Sequence, residues 1–439
     1  MNDTMTIFDY LYPKYKITKP IRLIEFFAGY GSQALALKYL GVPFEHWKIC
    51  EWAVKSIQAY KDIHMPKEYH PYGYLEESKD DLAQYLYRKG ISQNYNEPMT
   101  LEQMKRLSHE NLVTICENIY CTNNLVNIQQ VKGEDLEIKD TDKYDYILTY
   151  SFPCQDLSLA GKGKGMSDTS TRSGMLWEVE RILGECKELG SLPQILLMEN
   201  VPQVHGIDNL KDFNKWKDRL EELGYKNYFQ DLIATDYGIP QTRNRCFMIS
   251  ILGDYSYTFP KPIPLELKLK DMLEDNVDEK YYLSDKMLEY MMSESSGGLS
   301  RKEMFERNFK EDKEVAATIT TCAGNRASDN FIKIKNATKK GYIETTNGDG
   351  IDLNQPNSKT RRGRVQKQAI QTLTTQNNLG VCINMRIRKL TPKECFRLMG
   401  VKDEDYEKCA KNQSDSSLYH LAGDSIVVNV LMAIFKELL

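Results

Sequence analysis

The stretch Ile21-Arg22-Leu23-Ile24-Glu25-Phe26-Phe27-Ala28-Gly29-Tyr30-Gly31, followed by Ser32–Leu40 and Gly41, decides the fold class. Ile21–Phe27 is apolar with β-branched residues and reads as a buried strand. Two glycines then turn the chain, Ser32–Leu40 has a helical pattern, and Gly41 ends it. A second strand, Trp47–Cys50, ends in Glu51, about 20 residues after the first glycine. That is the spacing of a ribose-binding acid in a nucleotide-binding βαβ unit. Tyr144–Ser151, Ile195–Met198 and Phe247–Leu252 read as further short buried strands. Alternation of strands and helices over residues 1–255 predicts an α/β domain with a mostly parallel sheet.

Two stretches leave this rhythm. Ala53–Val126 is polar and helical in pattern and too long for a simple connection, so it reads as a helical insertion, with Thr100 and Gln103 forming a capping box. After Pro260 the alternation stops. Thr318–Thr321, Phe331–Ile334 and Gly341–Thr345 look like short strands between turn residues. Between Phe331 and Leu390 there are 12 Lys and Arg against 3 Asp and Glu. The last 50 residues return to helix, with Thr391–Met399 and Ser425–Leu438 as the two best candidates.

Composition narrows the class. At 439 residues, two or more domains are expected. With 41% hydrophobic and 27% charged residues the chain is neither disordered, collagenous nor a disulfide scaffold. No apolar run reaches the roughly 18 residues of a membrane span, Ile426–Phe435 being short and broken by Asn429. Met1–Tyr10 has no secretory pattern, and ten cysteines without a Cys-x-x-Cys pair suit reduced thiols in the cytoplasm. The net charge of -4 leaves nucleic-acid binding to a local patch, which the basic 331–390 segment supplies. The six histidines pair with no cysteine at zinc-like spacing, so no metal site is expected.

The residues suggest chemistry in four places. Gly29-x-Gly31-x-x-Ala34 with Glu51 suits a dinucleotide or an adenosyl cofactor, and Trp52 adds an aromatic face. The bland alternative is a plain strand–helix turn. Pro153-Cys154-Gln155 follows a strand whose carboxyl end faces the ligand crevice of an open α/β sheet. A thiol there is a candidate nucleophile, although most lone cysteines are inert core. The following Gly161–Gly165 loop, with Lys162 and Lys164, is flexible and basic. Glu199, at the end of Leu196–Val201, is either a helix cap or a protonated acid with a raised pKa. Gln241-Thr242-Arg243-Asn244-Arg245 puts two guanidiniums one pleat apart, as solvated edge charges or as anchors for a base carbonyl.

In combination and order these motifs resemble the DNA (cytosine-5)-methyltransferase family. The likeness covers the glycine turn, Glu51-Trp52, Pro153-Cys154-Gln155, Glu199-Asn200-Val201, Gln241-x-Arg243-x-Arg245, Arg388–Cys395 and Gly423–Val428. It implies a Rossmann-like, S-adenosylmethionine-dependent catalytic domain over 1–255, with the insertion at about 53–126. A smaller β-rich target-recognition domain would span 256–384, and 385–439 would return to the catalytic domain.

The resemblance also implies roles. Cys154 is the nucleophile, Glu199 holds the cytosine amine and N3, Arg245 contacts O2 and Arg243 supports the site. Phe27, Gly29, Gly31, Glu51, Trp52, Asn127, Ile128, Pro153, Leu176 and Ser425 hold the cofactor, which leaves as S-adenosylhomocysteine. Double-stranded DNA meets Gln155, Lys162, Lys164, Arg361, Arg362 and Arg364. A monomer suffices, with a cognate restriction endonuclease as partner in a self-protection system and no membrane contact.

Three departures stand out. Asn127 occupies an adenine position that is usually Asp, with Asp135 as rival; Asp424 replaces the amide of the family's Gly-Asn-Ser; and the insertion is long. A tRNA methyltransferase of the same family, an inactive DNA-binding module and a nicotinamide-dependent oxidoreductase are the alternatives. The last leaves the cysteine and arginine motifs unexplained.

Overall fold

The computed structural model describes residues 13–65, 73–152, 173–281, 315–316, 319, 331–332, 350–352, 365–366, 379–381 and 388–439. Its centre is a six-stranded sheet of β1 (Ile21–Phe26), β2 (Phe44–Cys50), β3 (Asp145–Tyr150), β4 (Ile195–Asn200), β5 (Tyr225–Ile233) and β6 (Asn244–Leu252), in the order β2-β1-β3-β4-β6-β5. The β1–β2, β1–β3 and β3–β4 pairs are parallel, whereas β6 runs antiparallel to both β4 and β5. The strand order reverses beside β1, so a crevice opens at the carboxyl ends of β1 and β3.

Strands β1, β3 and β4 are buried on both faces, which is why they read as continuous apolar runs. Strand β5 gives no such signal: it is an edge strand with an exposed centre, Lys226-Asn227-Tyr228-Phe229-Gln230-Asp231 being largely polar. One face of the sheet packs Leu23, Ile147, Leu197 and Ile249 against α1 (Ser32–Leu40) and the C-terminal helices. The other packs Ile24, Leu148, Leu196 and Met248 against helices Leu176–Glu188 and Leu210–Leu223.

The insertion is helical, as its pattern predicts: α2 (Val54–His64), α3 (Lys79–Lys89), α4 (Leu101–Arg106) and α5 (His109–Cys121). Thr100 and Gln103 form the capping box, and the insertion closes around its own core of Leu82, Leu86, Met104, Leu112 and Cys116.

The C-terminal segment is helical, as expected, but holds more helices than the two best candidates. Pro392–Leu398 is a helix with Thr391 and Glu394 as its capping box, but Asp403–Ala410 and Asp415–Asp424 are helices that the periodicity did not reveal. The helix expected over Ser425–Leu438 begins only at Val428. Ser425–Val427 breaks the apolar stretch Asp415–Leu438 into two helices packed in the core rather than one span-length rod. The break has a cause: the carbonyls of Gly423 and Ser425 accept from Arg243, and the Ile426 N–H donates to Ser32 Oγ. Helix Val428–Leu438 thereby seats the chain end against α1.

In the variable region, strand Phe331–Ile332 pairs with Arg388–Lys389, and Gly350–Asp352, Val365–Gln366 and Leu379–Val381 form a three-stranded antiparallel sheet. Ile319 is not in a strand, and Gly341–Thr345 lies outside the described residues.

Candidate active site

The glycine turn is held by backbone geometry that side chains resist. Phe27, Gly29 and Gly31 all have positive φ (56°, 56° and 81°). A Cβ on Gly31 would come within 2.7 Å of the Tyr60 ring and into His64, so a larger residue is excluded by space as well as by φ. Beneath the turn Glu25 is wholly buried on β1. It accepts from Tyr60 Oη at 2.6 Å and from Ala34 N, one of the orphan amides of the first turn of α1.

Burial pushes the Glu25 carboxyl up to about 7, against those two hydrogen bonds. The folded protein therefore holds a proton there that the unfolded chain, near 4.5, gives up, and stability falls as pH rises through this window. Thermal melts of ligand-free protein should show Glu25→Gln gaining on the wild type from pH 5 to pH 8, by on the order of 3 kcal/mol at most. Parallel pH profiles for the two proteins would rule this out.

Glu51 ends β2. Its Oε2 accepts from Gly29 N at 2.9 Å and its Oε1 from Ala53 N at 2.8 Å. Burial raises its carboxyl to about 7 despite these backbone donors. Asn124, which the sequence reading missed, fixes it: Asn124 Oδ1 accepts from Glu51 N and its Nδ2 donates to Glu51 O. Trp52 is half-buried against the core of the insertion, and its carbonyl accepts from Ser92 N. Asn127 Oδ1 accepts from Gln129 N, and Gly90 closes on its side chain so tightly that a Cβ there would lie 2.9 Å from Nδ2. Asp135 instead turns to Lys132 N. The insertion thus forms one wall of the crevice.

Across the sheet Glu199 (6% exposed) ends β4, with Arg245 Nε 3.1 Å from its Oε1. Burial raises its carboxyl; Arg245 and Arg243 pull the other way, and Asp424 adds to the rise. The neighbouring Asn200 Nδ2 donates to Phe152 O, which fixes the chain two residues before Cys154.

The arginine motif is a clasp. Gln241 Nε2 donates to Leu398 O, and Gln241 Oε1 accepts from Ile319 N. Arg243 (5% exposed) donates to the carbonyls of Ile319, Gly423 and Ser425. Arg243→Ala would leave these buried carbonyls without their donor and should cost about 2–4 kcal/mol. Arg243→Lys, keeping the charge without the fork, should recover only part. Urea denaturation midpoints read this directly, and an unchanged midpoint in the alanine variant would refute the clasp.

These observations coincide with similarity to known proteins. Residues 104–439 match the family model described as C-5 cytosine-specific DNA methylase. The chain belongs to this family. It is an S-adenosylmethionine-dependent DNA cytosine-5 methyltransferase. The chain is 31% identical to a Type II methyltransferase, M2.ScrFI, of Lactococcus lactis subsp. cremoris, over 95% of this chain and 99% of that protein. It is also 31% identical to the orphan methyltransferase M.SssI of Spiroplasma monobiae, over 96% and 98%. The solved structure of the Dnmt2 methyltransferase from S. pombe shares the fold, with a TM-score of 0.57 at 14% identity over 96% of this chain and 98% of that one.

The methyltransferase site fits its cofactor by donor set. The glycine turn offers backbone, and each Glu51 oxygen keeps a lone pair beyond its amide bond. Ile128 and Leu176 offer buried apolar surface, and Trp52 a half-buried ring. Ser425 is buried near the same turn, its hydroxyl donating to Leu421 O. Pro153, Cys154, Gln155, Lys162, Lys164, Arg361, Arg362 and Arg364 lie outside the described residues.

Sequence spacing could not show one grouping of potential ligand atoms, which holds no ion here. Folding brings His205, Asp231 and Cys246 together, with ligand atoms within 4.8 Å of one another and His205 Nε2 2.9 Å from Asp231 Oδ1. Sequence distance hides this because the three sit on different elements whose neighbours are set by sheet register, Asp231 opposite Cys246 and Cys246 opposite Asn200.

Proposed function

We propose that the protein methylates C5 of a cytosine flipped out of a short, specific duplex DNA sequence, through a covalent bond between Cys154 and C6 of the base. The observation that carries this reading is the Glu199–Arg245 pair. It is a buried carboxyl of raised proton affinity at a strand end, with a guanidinium 3.1 Å away, beside the backbone that leads to Cys154. S-adenosylmethionine, when bound, supplies the methyl group.

The Cys154 thiolate adds to C6, and Glu199 favours this by giving N3 a proton or hydrogen bond, so that the ring becomes an enamine nucleophilic at C5. Arg245 holds O2, and Arg243 acts at one remove by clasping the Gly423 and Ser425 carbonyls. After C5 takes the methyl, a base removes the C5 proton and the thiolate leaves. Duplex stacking hides C5 and C6, so the base must leave the helix at a cost of a few kcal/mol. Contacts from Lys162 and Lys164 would offset that cost.

Phe27, Gly29, Gly31, Glu51, Trp52, Asn127, Ile128, Pro153, Leu176 and Ser425 form the cofactor pocket in this reading. Residues 256–384 are the target-recognition domain, with Arg361, Arg362 and Arg364 on the phosphates. The methylation protects the host's or a phage's own DNA from a cognate endonuclease.

The test is transfer of labelled methyl from S-adenosylmethionine to mixed-sequence duplex DNA and to tRNA, with the modified base mapped. 5-Methylcytosine at a fixed short DNA site supports the proposal and reveals the target. Label in tRNA alone would replace it with the tRNA reading, and no transfer with cofactor still bound would leave a DNA-binding module.

A further inference from the structure

Three side chains with metal-ligating atoms converge on the face of the sheet near its β5 edge. Strands β5 and β6 pair antiparallel with Asp231 directly opposite Cys246, and Cys246 is in turn opposite Asn200 at the end of β4. Directly paired residues point to the same face, so the carboxylate and the thiol are neighbours. His205 reaches them from the short turn Pro202–His205 that follows β4. Its Nε2 is 2.9 Å from Asp231 Oδ1, and the nitrogen, oxygen and sulfur all lie within 4.8 Å of one another. The His205 ring packs against Phe213 and Phe229, at centroid distances of 6.0 and 5.6 Å, and those two rings meet edge-on. Cys246 is fully buried, whereas the His205 and Asp231 side chains are 29% and 33% exposed. The core closes one side of the cluster and solvent reaches the other.

A histidine–aspartate pair is common on protein surfaces, but a buried thiol beside its carboxylate is not what packing alone requires. Burial, Asp231 and Glu199 all raise the Cys246 thiol, so without a cation it keeps its proton. A divalent cation reverses that balance, because it is stabilised by the same carboxylate that opposes a bare thiolate. One imidazole, one carboxylate and one thiolate make a donor set that Zn²⁺ accepts, while Mg²⁺ and Ca²⁺ prefer oxygen alone. In a tetrahedral zinc site the donors stand roughly 3.3–3.8 Å apart, so the cluster needs only small side-chain shifts. On binding, the thiol proton leaves to solvent and His205 Nε2 turns its lone pair to the ion. The solvent-facing side leaves room for water as the fourth ligand.

We propose that His205, Asp231 and Cys246 form a binding site for a thiophilic divalent cation of the Zn²⁺ class, which staples the turn after β4 to β5 and β6. His205 closes the turn that follows Glu199-Asn200-Val201, and Cys246 is the residue after Arg245. The ion would therefore brace the two strand ends that carry the Glu199–Arg245 pair. Neither the site nor its test depends on the methyl-transfer reading.

The test uses full-length protein stripped of metal, with Cys154→Ser as the background so that Cys154 contributes no thiolate. Titration of Zn²⁺ against a chromophoric chelator should give one ion per chain. Cys246→Ala or His205→Ala on that background should weaken it at least about 10- to 100-fold, the loss that even outer-shell partners cause. Co²⁺ as an optical substitute should show thiolate-to-metal charge-transfer absorption that Cys246→Ala lacks. At about a hundredfold excess over its dissociation constant, Zn²⁺ should raise the Tm by about 3 °C and leave that of His205→Ala unmoved. His205→Ala alters a half-exposed ring on a turn, so the test does not hang on a substitution in the core. No ion bound by the background protein, unchanged affinity in either variant, or bound Co²⁺ without the thiolate band would each overturn the site.

Discussion

Cys154→Ser is expected to abolish methyl transfer, by a factor of about 10³ or more, while S-adenosylmethionine still binds. At neutral pH a few per cent of an ordinary thiol is thiolate, whereas a serine hydroxyl is essentially un-ionised and a weaker nucleophile. The chain reaches Cys154 from β3, whose Tyr150 lies in register with Met198 of β4, and Phe152 is pinned by Asn200. Transfer of labelled methyl to duplex DNA measures the loss. A duplex carrying 5-fluorocytosine at the target gives a second readout. The fluorine cannot leave as the proton does, so wild-type enzyme should stay bonded to the DNA through denaturing electrophoresis and the serine variant should not. A serine variant with near-normal turnover would sink the covalent mechanism.

Glu199→Gln is expected to lower kcat by about 10²–10⁴ with little change in cofactor affinity. Glutamine keeps the shape and can still accept a hydrogen bond from the exocyclic amine, but it has no proton to place on N3. Burial already holds the carboxyl above the usual carboxylate range, with Arg245 and Arg243 limiting the rise. The sign for activity follows: the protonated form is needed, so wild-type turnover should decline as pH rises through the raised pKa, and the glutamine variant should lack that limb. Single-turnover rates across pH measure both. Should the variant keep the wild-type pH limb, another group is the acid.

The resemblance in order of Gly29, Glu51, Cys154, Glu199 and Arg243 was legible because each belongs to a local pattern: a strand, a turn and the residue that ends them. The sheet was legible for the same reason, since strands buried on both faces must be apolar throughout. Edge strand Tyr225–Ile233 was hidden because half of it faces water, and the helices at Asp403–Ala410 and Asp415–Asp424 because their apolar positions are few.

The sequence by itself, through its resemblance to the family, pointed to the proposed chemistry: the thiol, carboxyl and guanidiniums expected to act, and the glycine turn expected to meet an adenosyl cofactor. Only the tertiary structure decided how those groups are supported. Arg243 reads in sequence as a site residue one pleat from Arg245, yet it is a clasp whose partners lie 76 to 182 residues away. Asn124 anchors Glu51 from 73 residues off, and Tyr95 meets His420 across the crevice. Local patterning is set by the periodicity of one strand or helix. Support of this kind depends on which elements pack together, and the pairing of buried polar groups that makes it stable exists only once the chain has closed on itself.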